Sequence, residues 1–316
     1  MKNKSILIVS YSQSGQLDAI VRSALSPCLE NDNYNIVHKK IKPKTAYPYP
    51  WKLIPFMDTF PESIYLDPCE IENMPDDDVE YDLVILAYQV WFLSPSIPTT
   101  AFLKSEYAQK KLRNKPVITL IGCRNMWIMA QEKVKVMLSD IGAILIDNIV
   151  LIDQGSSLAT FITTPRWMLT GKKDSLWNLF PEAGVSQNDI ESSKRFGKAI
   201  KEGLDNNKEK EYKSLCYGLG AVEVNEKLIK SEQIGTKSFT IWGKLIRKVG
   251  KPGDIKRKPI VLLYLVFLIL MIVTVVPLNM IIQTINRKVN KNKVELQKKQ
   301  YELPSGSSTE RMKDFL

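Results

Sequence analysis

Short apolar runs alternate with stretches of helical periodicity through the first two thirds of this chain. The runs at 5–10, 34–40, 83–87, 117–121 and 143–152 have the length and branched apolar content of buried strands. Between and after them, 16–29, 98–112, 127–141 and 187–204 repeat apolar residues at helical spacing. The last of these opens on Ser186 with Asp189 three residues on, a start that resembles a capping box. Strand and helix in this alternation predict an α/β fold, a doubly wound five-stranded parallel sheet covered on both faces, over residues 1–204.

Two segments interrupt the alternation. One, at 41–81, contains AYPYPWKLIPFMDTFPESIYL; the other, at 153–184, contains FITTPRWMLTGKK and LWNLFPEAG. Each follows a strand, so each is expected at the carboxyl edge of the sheet, where doubly wound folds bind ligands. They are candidates for a substrate pocket or lid, and equally for ordinary packing loops.

A different pattern governs the C-terminal third. Residues 259–286 carry no charge, and 260–276 are apolar except for Thr274, with Pro277 interrupting the run. A spanning helix needs about 20 predominantly apolar residues, so 259–285 reads as a transmembrane or re-entrant segment. Upstream, 239–249 (FTIWGKLIRKV) places apolar residues at helical spacing with cations between them, an amphipathic helix within an otherwise basic linker at 205–258. Residues 286–316 read as a basic, disordered tail.

Charge sharpens this division. The 316 residues hold 44 Lys+Arg and 34 Asp+Glu, a net charge of +10. Residues 1–204 hold 23 of each sign, so the whole surplus lies in 205–316. Cations on both sides of an uncharged apolar run fit anionic lipid headgroups better than a nucleic-acid groove, so membrane lipid is the expected partner and nucleic acid is not. Because both flanks are basic, they do not choose between topologies. The opening MKNK runs straight into a strand too short for a signal-peptide core, which places the catalytic domain on the cytoplasmic side of an inner membrane.

The four cysteines, Cys28, Cys69, Cys123 and Cys216, are widely separated and have no CxxC spacing, so neither a metal site nor a dithiol is expected. The single histidine, His38, falls in a strand, which disfavours a Ser-His hydrolase.

Chemistry concentrates where strands end. After the first strand comes Ser10-Tyr11-Ser12-Gln13-Ser14-Gly15-Gln16, hydroxyls and a glycine at a helix start, which is an anion cradle without a lysine. It resembles the FMN phosphate loop of flavodoxins at Ser12, Ser14, Gly15 and Gln16, with Leu17 standing where a last hydroxyl is usual. After the third strand, Val90, Trp91 and Phe92 resemble the flavodoxin loop that stacks an aromatic on the flavin, with Gln89 where proline is frequent. After the fourth, Gly122-Cys123-Arg124-Asn125 occupies the place of the third flavin loop. The resemblance implies strand order 2-1-3-4-5, an FMN cofactor, phosphate contacts from Ser12, Gln13, Ser14, Gly15 and Gln16, and ring contacts from Val90, Trp91, Phe92, Gly122 and Asn125. Arg124 then stabilises negative charge on flavin or substrate, with Asp153 and Arg166 as further candidates.

Together, SYSQSGQL, YPYPW, VWFLSPSIP, GCRNMW, LIDQGSS, FITTPRWMLTGKK and the apolar C-terminal run resemble the bacterial flavodoxin-like proteins called dialkylresorcinol condensing enzymes. That resemblance implies a membrane-anchored oxidoreductase of the aromatase type, taking a dialkylcyclohexanedione, a lipid-like substrate, to a resorcinol beside a ketosynthase partner. A homodimer is also compatible with it. Two alternatives stay open: a membrane-tethered electron carrier, and a flavin-free scaffold that recruits a ketosynthase.

Overall fold

The computed structural model describes residues 4–289 and 291–315. In chain order the strands are β1 (Lys4–Ser10), β2 (Tyr34–Lys40), β3 (Leu83–Tyr88), a two-residue pair β4 (Val90–Trp91) and β5 (Ser94–Pro95), then β6 (Pro116–Cys123) and β7 (Ile144–Ile152). Five of them form one sheet in the order β2-β1-β3-β6-β7, with every neighbouring pair parallel. The central strand β3, Leu-Val-Ile-Leu-Ala-Tyr, is buried at every position, as a strand covered on both faces must be.

Leaving out the β4–β5 pair, this is the flavodoxin-like order 2-1-3-4-5. The chain steps from β1 outward to β2 and then back across β1 to β3. Right-handed crossovers in opposite directions place α1 (Gln16–Leu29) on one face and α4 (Ile97–Leu103) and α5 (Glu106–Leu112) on the other. The crevice between the ends of β1 and β3, where the winding reverses, is the place for a ligand.

Two helices expected to be continuous are broken. Residues 98–112 divide between α4 and α5 because Ser105 starts a new helix, accepting a hydrogen bond from Ala108 N–H at 3.2 Å. Residues 187–204 divide between α8 (Gln187–Ser192) and α9 (Lys194–Asp205). Ser186 does cap α8, accepting from Asp189 N–H at 3.0 Å. At Gly197 a Cβ would lie 2.1 Å from the Ala24 carbonyl oxygen, so glycine there lets α9 press onto α1.

The expected linker and tail are instead parts of the domain. Leu215, Cys216, Leu219, Ala221 and Val222 are buried against the sheet, and Val150 N–H donates to Ala221 O at 2.9 Å. On the same edge strand, Asn148 N–H donates to the Ser305 hydroxyl at 2.7 Å. Unpaired amides of an edge strand are thus taken by segments from both sides of the apolar run. The organising group is Asp147, fully buried in β7. Its carboxylate accepts from the Ser214 hydroxyl (2.5 Å), Leu215 N–H (2.7 Å) and the Ser305 hydroxyl (2.7 Å). After Ser305 the chain continues to α13 (Met312–Phe315), whose Phe315 is buried in the main core. Sequence reasoning missed this because the partner of a buried carboxylate is chosen in space, 158 residues away.

The amphipathic 239–249 segment lies within α10 (Glu226–Val249), which forms an antiparallel hairpin with α11 (Lys258–Val289). Ile246 and Val261 are buried together, and Trp242 meets Tyr264 and Phe267 at ring distances of 5.2 Å each. The hairpin rests on α2 (Leu53–Asp58) and α3 (Phe60–Ile64) from the first insert, with Phe60 4.6 Å from Tyr264. Arg257 locks its base: Nε reaches Asp58 at 2.9 Å and the two terminal nitrogens reach Glu62 at 3.0 and 3.1 Å. Residues Ile255–Val275 are long and apolar enough to cross a membrane.

Candidate functional site

Above the carboxyl ends of β1, β3 and β6 lies a cavity of about 120 Å³. The loop after β1 contributes Gln13, Ser14 and Leu17; the loop after β3 contributes Val90 and Trp91; the end of β6 contributes Gly122 and Arg124. The three loops singled out in the sequence therefore meet at one place. Ser12, Gly15, Phe92 and Asn125 do not line the cavity.

In the first loop, Gly15 adopts the left-handed region (φ 83°) and, having no side chain, does not itself cap α1. The amides of Gln16 and Leu17 lie outside the intrahelical ladder and face the loop, an arrangement suited to an anion. Ser12 holds the next amide, accepting from Asp18 N–H at 3.4 Å. Two expected phosphate donors have other work. Gln13 N–H donates to the Gln89 side chain at 3.1 Å, and the Gln16 side chain clamps both the N–H and the carbonyl of Val185 (3.2 and 3.3 Å). Gln89 thus ties the first loop to the second, a role proline could not play. Leu17 packs where α1 approaches the sheet: a Cβ on Gly122 would lie 3.3 Å from its Cδ1 and 2.9 Å from Ile20.

In the second loop, β4 and β5 are joined by Phe92 and Leu93, both left-handed (φ 48° and 58°). Two bulky residues in that region store strain. The turn sends the two aromatics apart. Trp91 is buried at the cavity, edge-on to Tyr11, Tyr47 and Trp51 at 5.1 to 5.9 Å. Phe92, expected at the ring, points the other way, 4.7 Å from Phe56 and 5.6 Å from Phe239 of the hairpin.

In the third loop, Arg124 is held rather than free. Its Nε donates to Thr160 Oγ1 at 2.9 Å, and its guanidinium lies 3.9 Å over the Phe161 ring. Burial lowers its pKa to about 10, a value that still leaves it cationic at neutral pH. Asp153 also lines the cavity, but both carboxylate oxygens accept backbone amides, Gly155 N–H at 2.7 Å and Gly184 N–H at 2.5 Å. It fixes the loop from 153 to 184 instead of offering a free base. Asn125, expected at the ring, donates to the Ser157 hydroxyl at 3.2 Å.

The second insert roofs the site. Its helix α7 (Thr160–Thr170) turns Thr164, Trp167 and Met168 into the cavity, while Arg166 faces outward and pairs with Asp174 at 2.9 Å. The first insert joins it: Tyr49 lines the cavity, and Trp51 N–H donates to Met168 O at 2.8 Å. Sequence reading flagged both inserts but named neither Tyr49 nor Trp167. Their shared position at the ligand edge was the available signal. His38 is remote, its Nε2 2.8 Å from the Ser10 hydroxyl, and burial lowers its pKa.

No protein-family model matches the chain, and no curated protein matches it. Solved structures similar to it include a flavoprotein from Lactobacillus acidophilus NCFM in complex with FMN, at 18% identity over 47% of this chain and 93% of that one, with a TM-score of 0.36. A flavodoxin from the domain Archaea is similar at 11% identity over 64% of this chain and 99% of that one, TM-score 0.35. The flavodoxin-like assignment rests on the strand order itself.

Proposed function

We propose that this chain is an FMN-dependent oxidoreductase that works on a lipid-like substrate at a membrane surface. The observation that carries the reading is one cavity bounded by the start of α1 with the amides of Gln16 and Leu17, by Trp91 and by the half-buried cation of Arg124. The residues fit the cofactor in two respects: a left-handed glycine before free helix amides suits a phosphate, and a fixed tryptophan suits a flat ring.

Bound there, FMN would supply a two-electron acceptor for hydride. Ser14 and the amides of Gln16 and Leu17 would hold the phosphate end. Arg124, cationic and half-buried at the cavity wall, would stabilise negative charge that develops on a substrate enolate. Trp167 and Met168 keep the site apolar and exclude water.

The finer reading is aromatisation of a dialkylcyclohexanedione, the substrate class of the dialkylresorcinol proteins that the sequence resembles. Loss of one proton from the acidic carbon and one hydride from its ring converts the dione to a resorcinol. A ketosynthase is the class of enzyme that would supply such a dione. Apolar roof residues and an exposed apolar helix are compatible with alkyl chains delivered from lipid.

Purified chain should be yellow and show flavin absorbance, and apo-protein titrated with FMN should quench flavin fluorescence. A colourless chain that leaves FMN fluorescence unchanged would sink the proposal. Anaerobic addition of a dialkylcyclohexanedione should bleach the flavin band; a band that persists leaves a flavoprotein without this substrate.

A further inference from the structure

Length and anchoring together specify how α11 meets the bilayer. At 1.5 Å per residue, its 32 residues extend about 48 Å from a start pinned by Arg257 to Asp58 and Glu62. The 12 residues of α12 (Lys291–Glu302) cover only about 18 Å. Yet by its end the chain is back on the domain. Tyr301 accepts a hydrogen bond from the Gln233 side chain at 3.3 Å, and Ser305 sits on Asp147. A helix pointing straight away from the domain could not be recovered by so short a return, so α11 lies along the molecule.

The outward side of that helix is apolar. Leu262, Leu263, Val266, Ile269, Leu270 and Val273 are each half or more exposed, at the spacing of one helical face. Ile241 on α10 extends the face at 70% exposure. Beside it, Lys244, Lys248, Lys251, Lys256 and Lys258 are exposed where anionic headgroups would lie. An apolar face bordered by cations is the pattern of a helix lying in the membrane interface.

We infer that the α10–α11 hairpin is a monotopic lipid-binding surface: α11 sinks into one leaflet of an anionic bilayer, does not cross it, and the tail stays on the side of the globular domain. The inference rests on the membrane reading above. A crossing helix would place Ser305 beyond the bilayer and remove one of the donors from the buried Asp147 carboxylate. It would also strip Phe315 from the core.

The test is sidedness in the full chain. Lys213→Cys marks the domain and Lys313→Cys marks the tail, and both positions are exposed. Each variant is expressed, membranes are prepared as inside-out and right-side-out vesicles, and a membrane-impermeant maleimide is added, with the parent chain as background for the native cysteines. Both positions should label in the same vesicle orientation, with labelling lost in the other. Labelling of Lys313→Cys in the orientation opposite to Lys213→Cys overturns the inference and leaves the membrane reading intact. Recovery of the chain only in the soluble fraction overturns both.

Discussion

Glu232, on the first helix of the hairpin, accepts a hydrogen bond from Met129 N–H at 2.9 Å and so caps α6 (Ile128–Ile141), the helix that follows the Arg124 loop. One carboxylate links the hairpin that carries the exposed apolar face to the helix that follows the cavity-lining segment Gly122–Arg124. Burial pushes this carboxyl up to about 7.

The sign of its pH dependence follows. The native state holds the Glu232 proton to higher pH than the unfolded chain, so its contribution is complete below about 4.5 and is lost as pH rises through about 7. Asp147, pushed up to about 6, is already half titrated at pH 6 and adds a smaller loss in the same direction above it. Between pH 6 and pH 8 the chain should lose about 1 kcal/mol through Glu232. Glu232→Gln keeps an acceptor for Met129 and should flatten that slope in urea unfolding; an unchanged slope would show that Glu232 does not titrate there.

Ser305→Ala removes the bond to Asp147 and leaves Asn148 N–H without its acceptor. The expected destabilisation is about 1–3 kcal/mol. Because the tail is then held by less, trypsin should cut earlier at Lys298 and Lys299. Equal digestion rates for variant and parent would count against the tail's role in sealing β7.

The two neighbouring aromatics should separate in their effects. Trp91→Phe keeps a ring at the cavity and should weaken FMN binding, at a smaller cost in stability than full truncation because most of the buried ring remains. Phe92→Ala empties space among Phe56, Phe60 and Phe239 and should cost about 3–5 kcal/mol while leaving FMN affinity nearly unchanged. Fluorescence titration beside denaturant unfolding distinguishes them. Reversal of the pattern would put Phe92 at the ring.

Arg124→Gln removes a half-buried cation that lines the cavity. Turnover of a dione substrate should fall about 10²-fold, the range for loss of one preorganised stabilising group. Bound FMN should be retained, as read by absorbance. Turnover equal to that of the parent would move charge stabilisation elsewhere.

Arg257→Met leaves Asp58 and Glu62 facing each other without their shared cation. Breaking a buried ion pair from one side costs about 3–5 kcal/mol. The loss should appear as local opening of the hairpin, detectable by hydrogen exchange across α10, while α1 and α9 remain protected. Uniform loss of protection would show that the hairpin and sheet unfold as one unit.

Much of this was legible in the linear pattern, because strand and helix periods and turn residues are local. Runs of Ile, Leu and Val ending in Ser-x-Ser-Gly marked β1 and the start of α1, and the uncharged stretch after Pro259 marked an apolar helix. Trp91 could be named because it stands just after a buried strand. Its separation from Phe92 could not, since that depends on a two-residue left-handed turn. Gln13, Gln16, Asn125 and Asp153 looked like ligand groups because their side chains are polar; the fold bonds each side chain to a neighbouring loop, while Gln13, Gln16 and Asp153 also line the cavity.

By itself the sequence determined the alternating α/β order, the three loops at one sheet edge and the existence of a long apolar segment bordered by cations. Tertiary structure alone decided what that segment is attached to. A buried carboxylate in β7 demands donors, and the hydroxyl of Ser305 is brought back past the apolar helix to provide one. Hydropathy reads how far a helix can reach into lipid; only the contacts at its two ends say on which side the chain returns.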